Sequence, residues 1–428
     1  MYRKNETDIK QVTDKYGDSF CSAPFTSFHT GPDGRVSFCC KSRMSIGNEN
    51  DKSLEEIYNS PQAKSIRKAF LNHKRPKQCI DCWTIEDASD DISNNRYFEI
   101  EKSFDVIDEI IKNTQPDGTL LKQNLTWLDL LWTNKCNFAC LGCSPDLSST
   151  IATKYKDEYA IINGSNPESY FPQYNNRTKW QNDNSKKIDY ILKYKDSLKF
   201  IHFNGGEPLL QEDIFELLDI LLKNNLHKKI FLWFHTNGSV WSYKNVDLID
   251  DYLVHWKDNC SITMSSDNIG EKGSYCRWGY NEKKWTTLYK RFRENNIHVT
   301  IQTCYSIFNC LNLIDIAEWY LDTLPDPVWG TLGLWTNHTF DPRLIQLNTE
   351  LLNDSVSIID ELLKTNKYPI AWDSGLISHK QYIQQKYNGI EEISINFIQG
   401  IEAIDEARST NFIKTFPELG KLYETITR

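Results

Sequence analysis

Cys136-Asn-Phe-Ala-Cys140-Leu-Gly-Cys143 places three thiols in one short loop, directly after the apolar stretch Leu125–Leu131. Three thiolates at this spacing can bind three irons of a cubane and leave the fourth iron without a protein ligand, where a small molecule can be bound and reduced. Zinc also takes thiolates at CxxC spacing, but a structural zinc site needs a fourth protein ligand. No Cys or His follows within the next dozen residues, and candidates such as His202 and His235 lie far downstream. Both metals stand as readings of this loop alone.

The segments that follow narrow the choice. Leu198–Asn204 has the composition of a buried strand and runs straight into Gly205-Gly206-Glu207-Pro208. A helical pattern to Leu222, a strand at Lys229–Phe234 and the turn Thr236-Asn237-Gly238 come next. Glycines without a Cβ let carbonyls approach a ligand closely, and Pro208 fixes the turn into the next helix. The order of the three motifs resembles the radical S-adenosylmethionine (radical SAM) superfamily. The resemblance implies a [4Fe-4S] cluster on Cys136, Cys140 and Cys143, with the open iron chelated by the amine and carboxylate of SAM. It implies that Gly205, Gly206 and Glu207 receive the SAM ammonium. It also implies that Ser265, Ser266 and Asp267, at the end of a fourth strand Ser261–Asp267, lie near the ribose. Arg277 matches a basic residue for the SAM carboxylate, and Asn309, beyond a fifth strand His298–Tyr305, is placed toward the adenine. The superfamily often has an aromatic residue before the third cysteine. Here it is Gly142, so the adenine contact is expected from Phe138 or a backbone edge.

A second cysteine group precedes that region. Cys21, Cys39, Cys40, Cys79 and Cys82 fall in the first hundred residues, with Cys79-Ile-Asp-Cys82 a CxxC loop. Asp33-Gly34 is a hairpin signal leading a short strand into Cys39. Ser53-Leu-Glu-Glu56 is a capping box, and Ser60-Pro61 starts a helix that runs through Leu71. The block resembles the SPASM/twitch module, which binds an auxiliary cluster and usually follows the barrel; here it comes first. Matched residue by residue, Cys21, Cys39, Cys79 and Cys82 are the ligands of an auxiliary [4Fe-4S] cluster, and Cys40 is an adjacent spare. Structural zinc and disulfides are the other readings. Cys260, Cys276, Cys304 and Cys310 are read as packing.

The expected fold is α/β: a partial (β/α)6 TIM-type barrel over 125–340, a small α+β iron–sulfur cap at 1–100, a connector at 101–124 and a helical C-terminal region at 341–428. Six strands are expected near 125–131, 198–204, 229–234, 260–266, 298–305 and 328–335. Residues 1–19 read as a polar lead-in and Ser103–Lys112 as a connector helix before a turn at Gln115–Gly118. Within the long stretch 144–197, the polar segment Asn163–Lys187 is a candidate lid.

A net charge of −9 without a block of basic residues argues against wholesale binding of nucleic acid. The basic run His73–Lys77 reads as a solvated helix end. No apolar run approaches a membrane span, and the N-terminus lacks the apolar stretch of a signal peptide, so a reducing, cytoplasmic location is expected. The resemblance implies reductive cleavage of SAM to a 5′-deoxyadenosyl radical that abstracts hydrogen from a substrate C–H bond. The electron would come from a partner such as flavodoxin or ferredoxin, and the auxiliary cluster would assist a net oxidation. The preferred substrate is a peptide or protein. A sugar, nucleotide or other small metabolite is the alternative, and a non-enzymatic iron–sulfur or zinc protein is the reading from another class.

Overall fold

The computed structural model describes residues 6–42, 44–88, 95–165, 184–330, 332–334, 339–365 and 373–427. Most of the candidate lid segment lies outside these residues. The chain is an α/β protein that divides into two compact units, the first formed by Met1–Thr133, Trp180–Gly205 and Glu216–Trp233.

In the first unit, strands β1 (Ser27–Thr30) and β2 (Arg35–Ser37) form an antiparallel hairpin, and β2 pairs in turn with β3 (Gly47–Asn48). Gly34 turns the hairpin at φ +77°, a conformation that costs a residue without a Cβ little. β1 also lies parallel to β4 (Trp127–Leu131), which lies parallel to β5 (Phe200–Asn204). The cysteine-bearing N-terminal segment is therefore hydrogen-bonded into the same sheet as the first expected barrel strand. Side chains alternate across a strand, so the register sorts this sheet into two faces. Phe28, Leu128, Leu130, Ile201 and Phe203 make one face apolar and fully buried, whereas His29, Asp129 and His202 stand in a row on the other.

Both helix starts expected after the hairpin are present. Ser53 and Glu56 form a reciprocal capping box on Leu54–Tyr58, and Ser60 caps Pro61–Leu71 with proline in its first turn. Two expectations need correction. The lead-in contains a helix, Glu6–Tyr16, anchored by buried Ile9 and Val12. The connector is two helices, Asn95–Ser103 and Ile107–Lys112, joined by a 3-10 turn at Phe104–Val106. Ser103 Oγ donates to the Glu99 carbonyl at 2.7 Å, the local side-chain-to-backbone bond that competes with helix continuation.

The second unit comprises Asn134–Lys179, Gly206–Phe215 and Phe234–Arg428; strand β6 (Phe231–Thr236) is divided between the two units. β7 (Cys260–Ser265) and β8 (His298–Gln302) are parallel, registered from Ser261 opposite His298 to Ser265 opposite Gln302. The expected fifth strand breaks after Gln302. Cys304–Tyr305 instead pairs with Gly333–Leu334, the described part of the sixth. The C-terminal region is helical, with Thr349–Lys364, Asp373–Gln384, Ile390–Arg408 and Gly420–Thr427. Among the described residues no helix is long and apolar enough to cross a membrane.

Candidate functional site

The three-cysteine loop is built within the second unit. Ala139–Cys140 pairs antiparallel with Arg277–Trp278, which puts Arg277 opposite Cys140, and Leu141 N donates to the Cys276 carbonyl at 2.9 Å. Ser148 closes the loop from below. Its hydroxyl donates to the Phe138 carbonyl at 2.6 Å and accepts from Ile151 N at the start of helix Ser149–Lys154. Cys136 Sγ lies 3.5 Å from Phe138 N, and Cys140 Sγ lies 3.8 Å from Arg277 Nη1. Burial pushes all three thiols up, Cys136 to about 12. The neighbouring Cys140 adds to this for Cys136, and both neighbours add for Cys143, while Arg277 pulls Cys140 the other way. The loop thus gathers three sulfurs, with the Arg277 guanidinium against the middle one.

The GGEP and TNG turns meet this loop through hydrogen bonds. Glu207 N donates to the carbonyl of Lys135, the residue before Cys136, at 2.8 Å. The Glu207 side chain is fully buried and faces inward. Its carboxylate accepts from Asn237 N at 2.7 Å, Thr236 Oγ1 at 2.9 Å and Leu209 N at 3.2 Å. Burial nevertheless pushes its carboxyl up to about 7, against the pull of those donors. The Glu207 oxygens, expected to present their charge to an ammonium, hold the neighbouring turn. Asn237, which the sequence marked only as part of a turn, reaches back with its Nδ2 to Asn137 Oδ1 at 3.0 Å and to Cys136 Sγ at 3.9 Å. Gly205 and Gly206 hold φ +71° and +54°. A Cβ on Gly205 would stand 2.7 Å from Leu131 Cγ, so that position has room only for glycine. Pro208 opens a 3-10 turn at Pro208–Leu210.

The remaining expected cofactor contacts divide. Arg277 Nε lies 2.9 Å from Asp267 Oδ2, while Asp267 Oδ1 accepts from Cys304 N. These two residues therefore face each other beside Cys140. Ser266 is buried and donates to the Asn268 carbonyl, and Ser265 lies at the end of β7. Both Nδ2 bonds of Asn309 go to the carbonyls of Asp267 and Cys304, and its Oδ1 accepts from Ser306 N, so its amide shapes the loop. The buried ring of Phe138 closes on Gly279, where a Cβ would lie 2.6 Å from it. Cys260, Cys276 and Cys310 are buried, as packing requires, and Cys304 is half-buried.

In the first unit, Cys21, Cys39, Cys79 and Cys82 line one cavity, closed by Phe70, Trp83 and Arg96. Cys79 ends a 3-10 turn and Cys82 lies in the first turn of helix Ile80–Ala88. Arg96 is locked beside them by a paired contact with Glu86, 2.7 Å at each oxygen, and by a bond to the Phe20 carbonyl. Burial pushes Cys79 up to about 12 and Cys82 to about 11, with Cys82 and Glu86 respectively adding to it. Cys40 is absent from the lining and keeps solvent exposure. Among the described residues, no three Cys, His, Asp or Glu side chains converge as a single metal ion requires. A cubane takes each thiolate at its own iron, so four thiols spread around one cavity fit it, and three thiols with an open side fit a cubane with a free corner.

Residues 130–318 match the Radical SAM superfamily, and residues 21–83 match the iron–sulfur cluster-binding SPASM domain. The chain is 27% identical over 169 residues to the uncharacterized protein MJ0103 of Methanocaldococcus jannaschii, a match over 39% of this chain and 34% of that protein. It is 26% identical over 204 residues to the radical SAM cyclopropyl synthase TigE of Paramaledivibacter caminithermalis, over 45% of this chain and 39% of TigE. The matches thus span little more than a third of each relative's length. Among solved structures, Streptococcus suis SuiB bound to the precursor peptide SuiA aligns with 86% of this chain and 77% of its own, at 13% identity and a TM-score of 0.40. Residues 130–318 are thus a radical SAM domain, and a SPASM domain at residues 21–83 precedes it.

Proposed function

We propose that this protein is a radical SAM enzyme that oxidatively modifies a peptide or protein. Cys136, Cys140 and Cys143 would hold the SAM-binding [4Fe-4S] cluster, and Cys21, Cys39, Cys79 and Cys82 an auxiliary one. The observation that carries the reading is the single hydrogen-bonded network joining the three motifs: Glu207 to Lys135 and Asn237, and Asn237 to Asn137 and Cys136. A structural metal site needs no such link between a cysteine loop and two strand-end turns.

When bound, cluster and SAM supply a 5′-deoxyadenosyl radical, an oxidant strong enough for an unactivated C–H bond. The chain's own residues position that chemistry. Glycines 205 and 206, at positive φ and without a Cβ, would let backbone approach the methionine end of SAM. Arg277, pinned by Asp267, sets a cation beside Cys140, where it would receive the SAM carboxylate. Holding the reacting carbon in line while excluding water is the remaining task. Four thiolates would leave an auxiliary cluster no open site, so it would supply electron transfer, which suits a net oxidation. The likeness to TigE adds ring or bond formation as the reaction class. The peptide reading rests on the pairing of radical SAM and SPASM domains, and a small ferredoxin or flavodoxin is the proposed electron donor.

The test is spectroscopic. Reduced, anaerobically reconstituted protein should hold about eight irons and show a SAM-induced change in the EPR signal of one cluster. Absence of that change would remove SAM from the Cys136–Cys143 site.

A further inference from the structure

The cavity of the first unit gathers charge as well as sulfur. Beside Cys21, Cys39, Cys79 and Cys82 it is lined by Lys41 and Arg96. Lys41 is exposed, so solvent and salt screen its charge. Arg96 is buried, its side chain 2% exposed, and a charge held there acts at a lower effective dielectric. Backbone N–H groups are also turned onto the thiols: Ala23 N donates to Cys21, Lys41 N to Cys39 and Arg96 N to Cys82. Arg96 thus meets the cysteines through its main chain and again through its guanidinium.

The guanidinium is fixed on every edge. Nε and Nη2 each donate to one Glu86 oxygen at 2.7 Å, and Nη1 donates to the Phe20 carbonyl at 2.7 Å. Its carbon lies over the Tyr97 ring, 4.3 Å from the centroid, and 5.4 Å from that of Trp83. Glu86 follows Cys82 by four residues on helix Ile80–Ala88, so the two share a face. The Glu86 charge opposes ionisation of the Cys82 thiol, and the Arg96 charge favours it. The pair therefore acts on one sulfur with opposite signs. Alone, Glu86 would set an anion against thiolates; paired, it holds a cation against them.

We propose that Arg96, held by Glu86, sets the reduction potential of the auxiliary cluster, raising it so that the cluster accepts an electron. The inference rests on the proposed function, in which Cys21, Cys39, Cys79 and Cys82 carry that cluster. The electron is the one released by the net oxidation of substrate. Its uptake adds a negative charge to the cubane and breaks no thiolate bond. A fixed cation and N–H donors to the ligating sulfurs stabilise the added charge. Arg96 exchanges no atom with the substrate; it is a positioning residue that acts through the cluster.

The experiment isolates the auxiliary cluster. In full-length, anaerobically reconstituted protein carrying Cys136→Ala, Cys140→Ala and Cys143→Ala, the midpoint potential is measured by EPR-monitored titration at fixed pH and ionic strength. Arg96→Gln should lower the midpoint and Glu86→Gln should raise it, each by about tenfold in the reduction equilibrium, which is about 59 mV for one electron. Arg96→Lys keeps the charge, and Arg96→Gln with Glu86→Gln removes both charges; each should stay near the parent value. Removing one partner of a buried pair is destabilising. If Arg96→Gln does not load iron, the rise in Glu86→Gln and its return in the double variant carry the test. A merely structural pair would change iron content without opposite shifts in potential. Iron-loaded variants that share one midpoint, or that shift in the same direction, overturn the inference and leave the proposed function standing. A parent without iron removes the auxiliary cluster from the proposed function, and the inference with it.

Discussion

The carboxylate of Glu207 accepts a 2.7 Å hydrogen bond from the backbone N–H of Asn237. Through it the GGEP turn sets the position of the TNG turn, and Asn237 passes that position on to Cys136. Glu207→Ala leaves three buried donors without an acceptor, at a cost of roughly 1–3 kcal/mol for each group left unsatisfied. SAM cleavage should fall by about ten- to a hundredfold, with the open-corner cluster signal perturbed and the auxiliary signal intact. Cleavage rates and EPR of the two clusters check this.

The same carboxyl gives a pH dependence of unusual sign. Its proton is held to about pH 7 in the folded chain, against an ordinary value of 4.5. The folded state therefore binds more protons between those values, and the contribution to stability falls as pH rises through that window. The loss amounts to about 3 kcal/mol, at about 1.4 kcal/mol per unit. Denaturation of wild type and Glu207→Gln should diverge across that interval, with wild type the one that loses stability toward pH 7. A difference independent of pH would contradict the assignment.

Gly205→Ala combines a positive φ with a Cβ placed against Leu131. It should destabilise the fold by about 1–3 kcal/mol and weaken SAM binding. The readouts are thermal unfolding and SAM titration of the reconstituted protein.

The auxiliary ligand set is tested by contrast. Cys39 lines the cavity and Cys40 does not. Cys39→Ser should lower the iron content from about eight toward about four, whereas Cys40→Ser should leave it unchanged. The reverse outcome would exchange their roles.

The cysteine loop, the GGEP and TNG turns, the capping box at Ser53 and the hairpin at Gly34 were legible because each is local: spacing or one backbone angle determines it. What the sequence did not show is set by partners far along the chain. The bond that Glu207 accepts from Asn237, thirty residues away, is one such feature. The bonds of Asn309 within the loop after β8 and the packing of Phe138 on Gly279 are others. The helix Glu6–Tyr16 was missed because only Ile9 and Val12 signal its buried stripe in an otherwise polar run. The row of His29, Asp129 and His202 left a trace: a lone Asp in Trp-Leu-Asp-Leu-Leu and a lone His in Phe-Ile-His-Phe-Asn. Their convergence depends on strand register, which no single strand discloses.

The most direct measurement is anaerobic incubation of the reconstituted protein with SAM and a strong reductant, with chromatographic quantification of 5′-deoxyadenosine. Wild type should release it and Cys140→Ala should not. Wild type that holds its iron yet yields no 5′-deoxyadenosine, or a Cys140→Ala variant that yields as much as wild type, would contradict the account.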